Sequence, residues 1–364
     1  MDNELVLENI IDSIKLQKLA VYCGAGISFN SGLPLVFQLL NYLYEKLELD
    51  ADECKSLLDS NTPFENIMEK LLSESDLTEF QNIFNEGSPN SNHLFLARLV
   101  KTGLLKIIYT TNFDLLIEKA LELEGLMADK DYKVYKTEKE LDRIDWLDGK
   151  VKIIKIHGCT SAPKEMAITL SQLASNKYLD LRTELLTQIF SSKVCNSVLV
   201  LGYSCSDFDL VPIIASAENP SSEIYFVEHS SKNFLFEPVS LKLEKNPFKN
   251  YKGQRIIQNT DLFIANLNNT LNLQHLEVKD ITETSWKNSI DNWYTNNLDI
   301  SGFGFKHHIA ARLLYAIGDN NNTIKHAKKA TKIALISNNI IAYSSELGTM
   351  GMALNRLGKY EEAI

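Results

Sequence analysis

Four short stretches of this chain combine residue types that could do chemistry. Gly24-Ala25-Gly26-Ile27-Ser28, followed by Gly32-Leu33-Pro34, offers close backbone approach and amide donors. At the start of a helix those features suit a pyrophosphate. Thr110-Thr111-Asn112-Phe113-Asp114 places an amide and a carboxylate together, as binding of a ribose or a carboxamide would require. His157-Gly158 supplies a titratable ring beside a glycine. Gly202-Tyr203-Ser204, with Asp207 three residues on, supplies another close-approach turn and a hydroxyl. Each stretch also has a plain structural reading. The glycines suit tight turns, Thr or Asn before Phe-Asp-Leu-Leu suits a helix N-cap, and a single histidine is commonly structural. Position 29 is Phe rather than the glycine of G-x-G-x-x-G spacing, which disfavours a standard Rossmann dehydrogenase.

The elements around these stretches predict where they sit. Apolar spacing predicts helices over 5–18, 35–47, 93–99, 115–123 and 210–217, and helical runs over 51–84 and 170–192. Short β-prone runs at 18–23, 104–109, 151–156, 197–202, 224–227 and 255–257 predict strands, while 125–150 reads as charged and irregular. Apolar strands alternating with helices predict an α/β fold: a parallel sheet covered on both faces. In such sheets ligands bind off the carboxyl ends of the strands, and all four stretches fall there.

From about 275 the alternation stops and alanines recur within helical segments. Leu313–Gly318, followed by Thr323-Ile324, resembles Ala353–Gly358, followed by Ala363-Ile364. Stacked helical hairpins need several copies to bury their faces. The expectation is therefore two domains, 1–275 and a tetratricopeptide-like all-helical region over 276–364, the latter cut from a longer protein.

Composition narrows the function classes. The 364 residues carry 37 Lys plus Arg against 47 Asp plus Glu, a net charge of -10, which argues against a protein built to grip nucleic acid. Hydrophobic residues make up 45% of the chain, enough for a sizeable core, yet no run approaches the roughly 18 residues of a membrane span. The acidic start Met1-Asp2-Asn3-Glu4 has no signal-peptide character. Cys23, Cys54, Cys159, Cys195 and Cys205 are scattered, with no C-x-x-C pair, which fits a reducing cytoplasm.

In this order the motifs resemble those of the sirtuin family: G-A-G-I-S with G-L-P, Pro89-Asn90-Ser91-Asn92-His93 leading to T-x-N-x-D, then K-I-H-G, then G-x-S-x-x-D. The resemblance covers about 18–275. It implies an NAD⁺ site on a Rossmann-like α/β domain with a small helical inserted lobe over about 50–90, 125–150 being a second candidate part of it. In that site Gly24, Ala25, Gly26 and Ser28 lie along the pyrophosphate. Asn112 would sit by the nicotinamide ribose, Asp114 would hold the carboxamide, His157 would be the catalytic base, and Gly202 and Ser204 would contact the adenosine half. Sirtuin deacylases continue Gly-Ile-Pro with Asp-Phe-Arg and carry two zinc-binding cysteine pairs after the histidine. Here Leu35-Val36-Phe37 follows and the cysteine pairs are missing, so no metal is expected. The chain is thus more similar to the zinc-free bacterial defence-associated branch, which hydrolyses NAD⁺ with Asn and His. That resemblance implies an NAD⁺-depleting effector of antiphage defence (abortive infection) that forms a homo-oligomer. A protein trigger bound by the helical repeats would activate it. An NAD⁺-dependent deacylase and a non-catalytic NAD⁺ or ADP-ribose sensor are the alternatives.

Overall fold

The structure, a computed structural model, describes residues 3–60, 62–72, 78–174, 176–217, 220–241, 246–276, 286–301 and 304–364. The described chain divides into two compact units, Met1–Leu33 with Phe84–Thr284, and Pro34–Ile83 with Ser285–Ile364. The helices between 34 and 83, which include most of the lobe expected over about 50–90, group with the C-terminal helices. The expected boundary near 275 falls beside 277–285, which lie outside the described residues.

The first unit is built on an eight-stranded sheet: β1 (Leu19–Cys23), β2 (Ile107–Thr110), β3 (Tyr132–Tyr135), β4 (Val151–Lys155), β5 (Ser197–Leu201), β6 (Glu223–His229), β7 (Leu235–Pro238) and β8 (Lys252–Gln258). Their order is β3-β4-β2-β1-β5-β6-β8-β7, parallel throughout except for β7, which pairs antiparallel with β8. All six predicted strands are present. β3 and β7 are additional, and both are edge strands of four residues with charged or proline positions. An edge strand buries less than a central one, so its apolar run is weak, and Pro238 is tolerated where no further ladder continues.

Alternation along the strands explains why the central runs are continuously apolar. Val21, Cys23, Ile108, Ile153, Leu199, Leu201 and Val227 face one core with Ile10 and Ile14 of helix Asn3–Lys15, Phe95 and Leu99 of helix Ser91–Lys101, and Phe263 of helix Thr260–Thr270. Ala20, Tyr22, Tyr109, Ile154, Val198, Val200 and Phe226 face the other, with Leu185 and Ile189 of helix Asn176–Phe190 and Leu210 of helix Leu210–Ala215. With both faces covered, neither set can be polar. The chain first builds outward from β1 to β2 and β4, then crosses back to place β5 on the other side of β1. This reversal makes the carboxyl ends of β1 and β5 the topological switch point, where α/β sheets bind ligands.

The second unit is all-helical. Helices Phe305–Ala316, Asn320–Ile336 and Ile340–Arg356 each pack on the next. The two similar sequence segments have a common structural cause. Gly318 and Gly358 both adopt positive φ, 83° and 74°, just past a helix end. There the Asp319 and Lys359 amides close back onto Leu314 and Leu354 carbonyls at 3.0 Å, the glycine-dependent C-terminal cap. Trp293, fully buried, stacks edge-on against Phe80 and Phe305 and ties the inserted helices to the C-terminal ones. In the same unit, helix Ala51–Asp59 is held by Glu53, whose carboxylate meets His326 at 3.2 Å and Lys325 at 2.8 Å. Among the described residues no helix is long and apolar enough to cross a membrane.

Candidate active site

The first glycine stretch forms a turn of 3₁₀ helix, Ala25–Ser28, directly off β1. It lies against the turn after β5. Gly24 donates its amide to the Leu201 carbonyl at 3.0 Å and Gly26 donates to Gly202 at 2.8 Å. A Cβ at Gly26 would come within 2.8 Å of the Gly202 Cα, and one at Gly202 (φ +60°) within 2.3 Å of the Ile27 nitrogen. Only glycines allow this backbone-on-backbone contact. Both amides that were expected to face a pyrophosphate thus already serve the junction of the two turns. Ala25 and Ser204 are exposed at its rim.

Ser28 is the centre of a closed hydrogen-bond network. The Asn90 amide donates to His93 Nδ1 at 3.2 Å, so in the neutral ring Nε2 carries the proton and donates to Ser28 Oγ at 3.3 Å. Burial holds His93 neutral by pushing its pKa down to about 4, against the charge of Asp114. Asn112 Nδ2 also donates to Ser28 Oγ, at 3.2 Å, and the Ser28 hydroxyl donates to Asp114 Oδ2 at 2.9 Å. With two donors received and its own proton given, Ser28 has no hydrogen-bonding capacity left.

The same network orients Asn112. Its second amide hydrogen goes to Asp114 Oδ2 at 3.2 Å. The flipped amide would aim an oxygen at that carboxylate, so repulsion excludes it. Asn112 Oδ1 is left buried and without a partner among the described residues. A buried acceptor left unmatched costs about 1–3 kcal/mol, so the site is arranged to receive a donor there. Asp114 Oδ1 also accepts the Leu116 amide at 2.9 Å, at the first residue of helix Leu116–Leu123. The N-cap residue is Leu115, which makes no side-chain cap bond, so the expected cap by Thr or Asn is not formed. Behind this stretch, fully buried Lys155 donates to the Asp114 carbonyl and pairs with Glu118 at 3.1 Å.

His157 follows β4, buried, with the Phe113 ring 6.4 Å from its own. The Thr160 amide donates to the Phe113 carbonyl at 3.0 Å and pins the turns after β2 and β4 together. His157 Nε2 meets Asp209 Oδ2 at 3.1 Å, and Arg182 Nη1 reaches the same oxygen at 2.8 Å. Asp209 precedes helix Leu210–Ala215 at its N-cap position yet makes no capping bond, because its carboxylate is turned to these two partners.

All four expected stretches therefore meet at one end of the sheet. Sequence reading missed His93 as a contact, Lys155 and Glu118, and the pair Asp209 and Arg182. One signal was available: a lysine inside the doubly covered strand Val151–Lys155 demands a buried counter-charge. Asp209 reads as one polar residue of a turn and Arg182 as one polar residue of a helix, so neither announces itself. Among the described residues no three of His, Cys, Asp and Glu converge as a metal site. Cys23, Cys159, Cys195 and Cys205 are buried and unpaired.

The fold is a doubly wound α/β sheet with polar turns gathered at its switch point. Residues 106–257 match the family model described as the SIR2-like domain. The NAD(+) hydrolase ThsA of Acinetobacter baumannii (strain 532279) is 28% identical over 248 residues, 66% of this chain and 46% of that protein. ThsA of Bacillus cereus (strain MSX-D12) is 25% identical over 58% of this chain and 42% of its own length. The chain thus spans less than half the length of these curated relatives. Among solved structures, a Sir2 homologue–NAD complex aligns at 15% identity and a TM-score of 0.41, over 73% of this chain and 93% of that one. A structure described as the structural basis for the mechanism and regulation of Sir2 enzymes aligns at 15% and 0.41, over 75% and 98%.

Proposed function

We propose that this protein hydrolyses NAD⁺ to nicotinamide and ADP-ribose, with Asn112 and His157 as its catalytic groups. The observation that carries the reading is the locked Asn112 amide, whose buried Oδ1 can only accept. A ribose hydroxyl or the attacking water is the donor that suits it. Gly24, Ala25 and Gly26 shape the turn along which the pyrophosphate lies, with Ser28 beneath it. Gly202 and Ser204 border the adenosine half, and Asp114 holds the carboxamide end through its network. The names of the curated relatives support the same substrate.

In this reaction the C1′–N bond breaks and its electron pair neutralises the pyridinium of the departing nicotinamide, so no general acid is needed. Positive charge gathers on the ribose, water bonds to C1′, and its proton passes to His157 and then to solvent. General-base catalysis supplies about 10²–10⁴-fold. Barrier lowering in enzymes is about 8–23 kcal/mol, so positioning of ribose and water must supply most of the rest. The protein works in the cytoplasm as a homo-oligomeric effector of antiphage defence. Its tetratricopeptide-like helices receive a protein trigger, since unrestrained NAD⁺ loss would kill the host.

The test is chromatography of NAD⁺ incubated with the purified protein. Nicotinamide and ADP-ribose in equal amounts are expected, and His157→Ala and Asn112→Ala should each abolish them. Intact NAD⁺ after prolonged incubation would overturn the reading. A requirement for acetylated peptide would convert it to a deacylase.

A further inference from the structure

We infer that Asp209, gripped by Arg182, is a positioning residue that fixes the tautomer of His157 and makes Nδ1 its proton-accepting atom. The inference rests on the reading of His157 as the base. Three segments distant in sequence converge to build the arrangement: the turn after β4, helix Asn176–Phe190, and the residue before helix Leu210–Ala215. Asp209 Oδ2 receives His157 Nε2 at 3.1 Å and Arg182 Nη1 at 2.8 Å. A carboxylate only accepts, so Nε2 must carry the proton, and in the neutral ring the lone pair then belongs to Nδ1. Arg182 is fully buried and always charged, which keeps Asp209 ionised and stationary.

The charged groups that face His157 are Asp209, Asp207 and Arg182. Burial disfavours the imidazolium, but Asp209 and Asp207 outweigh both burial and Arg182, and the His157 pKa is raised. For Asp209 burial works against the charged form, yet His157 and Arg182 prevail and lower its pKa. The base form of His157 is thus depleted at the acid side of neutrality, and the rate should fall there. Without the Asp209 charge, that acid limb should move to lower pH.

The experiment joins ¹⁵N NMR of the histidine rings with kinetics on the full chain. In the wild type the neutral His157 ring should be the Nε2–H tautomer, with a pKa above that of a free histidine. Asp209→Asn should lower that pKa, mix or reverse the tautomers, shift the acid limb down, and cut kcat by about 10²–10⁴-fold with KM changed little. Asp209→Glu, which keeps the charge, should restore the Nε2–H tautomer and much of the rate. An Nδ1–H wild-type ring overturns the proposal without any variant, including the case in which Asp209→Asn does not fold. An unchanged titration in Asp209→Asn, with kcat lowered equally at every pH, overturns it as well. A wild type that leaves NAD⁺ intact overturns the hydrolase reading instead, while the ring tautomer still decides the role of Asp209.

Discussion

The Ser28 hydroxyl donates to Asp114 Oδ2 at 2.9 Å and joins the turn after β1 to the turn after β2 across 86 residues of chain. Around that bond every polar atom of Ser28 is used, by His93, Asn112 and Asp114. Ser28→Ala should strand buried donors on both His93 and Asn112. A loss of roughly 1–3 kcal/mol is expected for each buried group left unmatched. Denaturant unfolding measures it, and a variant as stable as the wild type would show that the network is not formed in solution.

Gly202 allows no side chain. Its φ is +60°, and a Cβ there would sit 2.3 Å from the Ile27 nitrogen, so one of the two turns must move. Gly202→Ala should lose folding or a large part of its stability, read by circular dichroism on heating. Ser204→Ala, at an exposed neighbour, should unfold as the wild type does.

The pair Lys155 and Glu118 is buried beneath Asp114, at 3.1 Å. Removing one partner leaves a buried charge unmatched, so Lys155→Met should cost about 3–5 kcal/mol. The double variant Lys155→Met, Glu118→Leu should recover most of that loss. Unfolding of the two singles and the double gives the coupling energy, and simple additivity would count against a direct pair.

In the helical unit, burial pushes the His307 pKa down to about 4 and also lowers that of His326, against the pull of Glu53. Unfolded, these rings take up protons near pH 6.5. The unfolded chain therefore binds protons first as the pH falls. The stability these neutral rings confer is full above about 6.5 and is lost towards pH 4. Melting should drop between pH 7 and 5, and His307→Gln should flatten that dependence. A flat wild-type profile would contradict the buried neutral pair.

The central strands were legible in the sequence because a sheet covered on both faces is built mainly from apolar residues, so that even β4, with Lys152 and Lys155, keeps Val151, Ile153 and Ile154. The four strand-end stretches were legible because glycine and polar side chains can follow an apolar run only where it meets solvent or a ligand. β3 and β7 were not, since Lys133, Glu237 and Pro238 interrupt edge strands that are only half buried. The grouping of 34–83 with the C-terminal helices was also hidden, because an amphipathic stripe says that a partner exists and not which one.

What the sequence determined by itself was the doubly covered sheet and the set of residues, Asn112 and His157 among them, gathered at its switch point. The tertiary structure decided how those groups share their hydrogen bonds. It saturates Ser28, leaves Asn112 Oδ1 as an open acceptor, and makes Asp209 the partner of His157 and Arg182. The physical reason is that a polar atom's role depends on which donors and acceptors meet it, and those arrive from segments whose separation along the chain carries no record of the encounter.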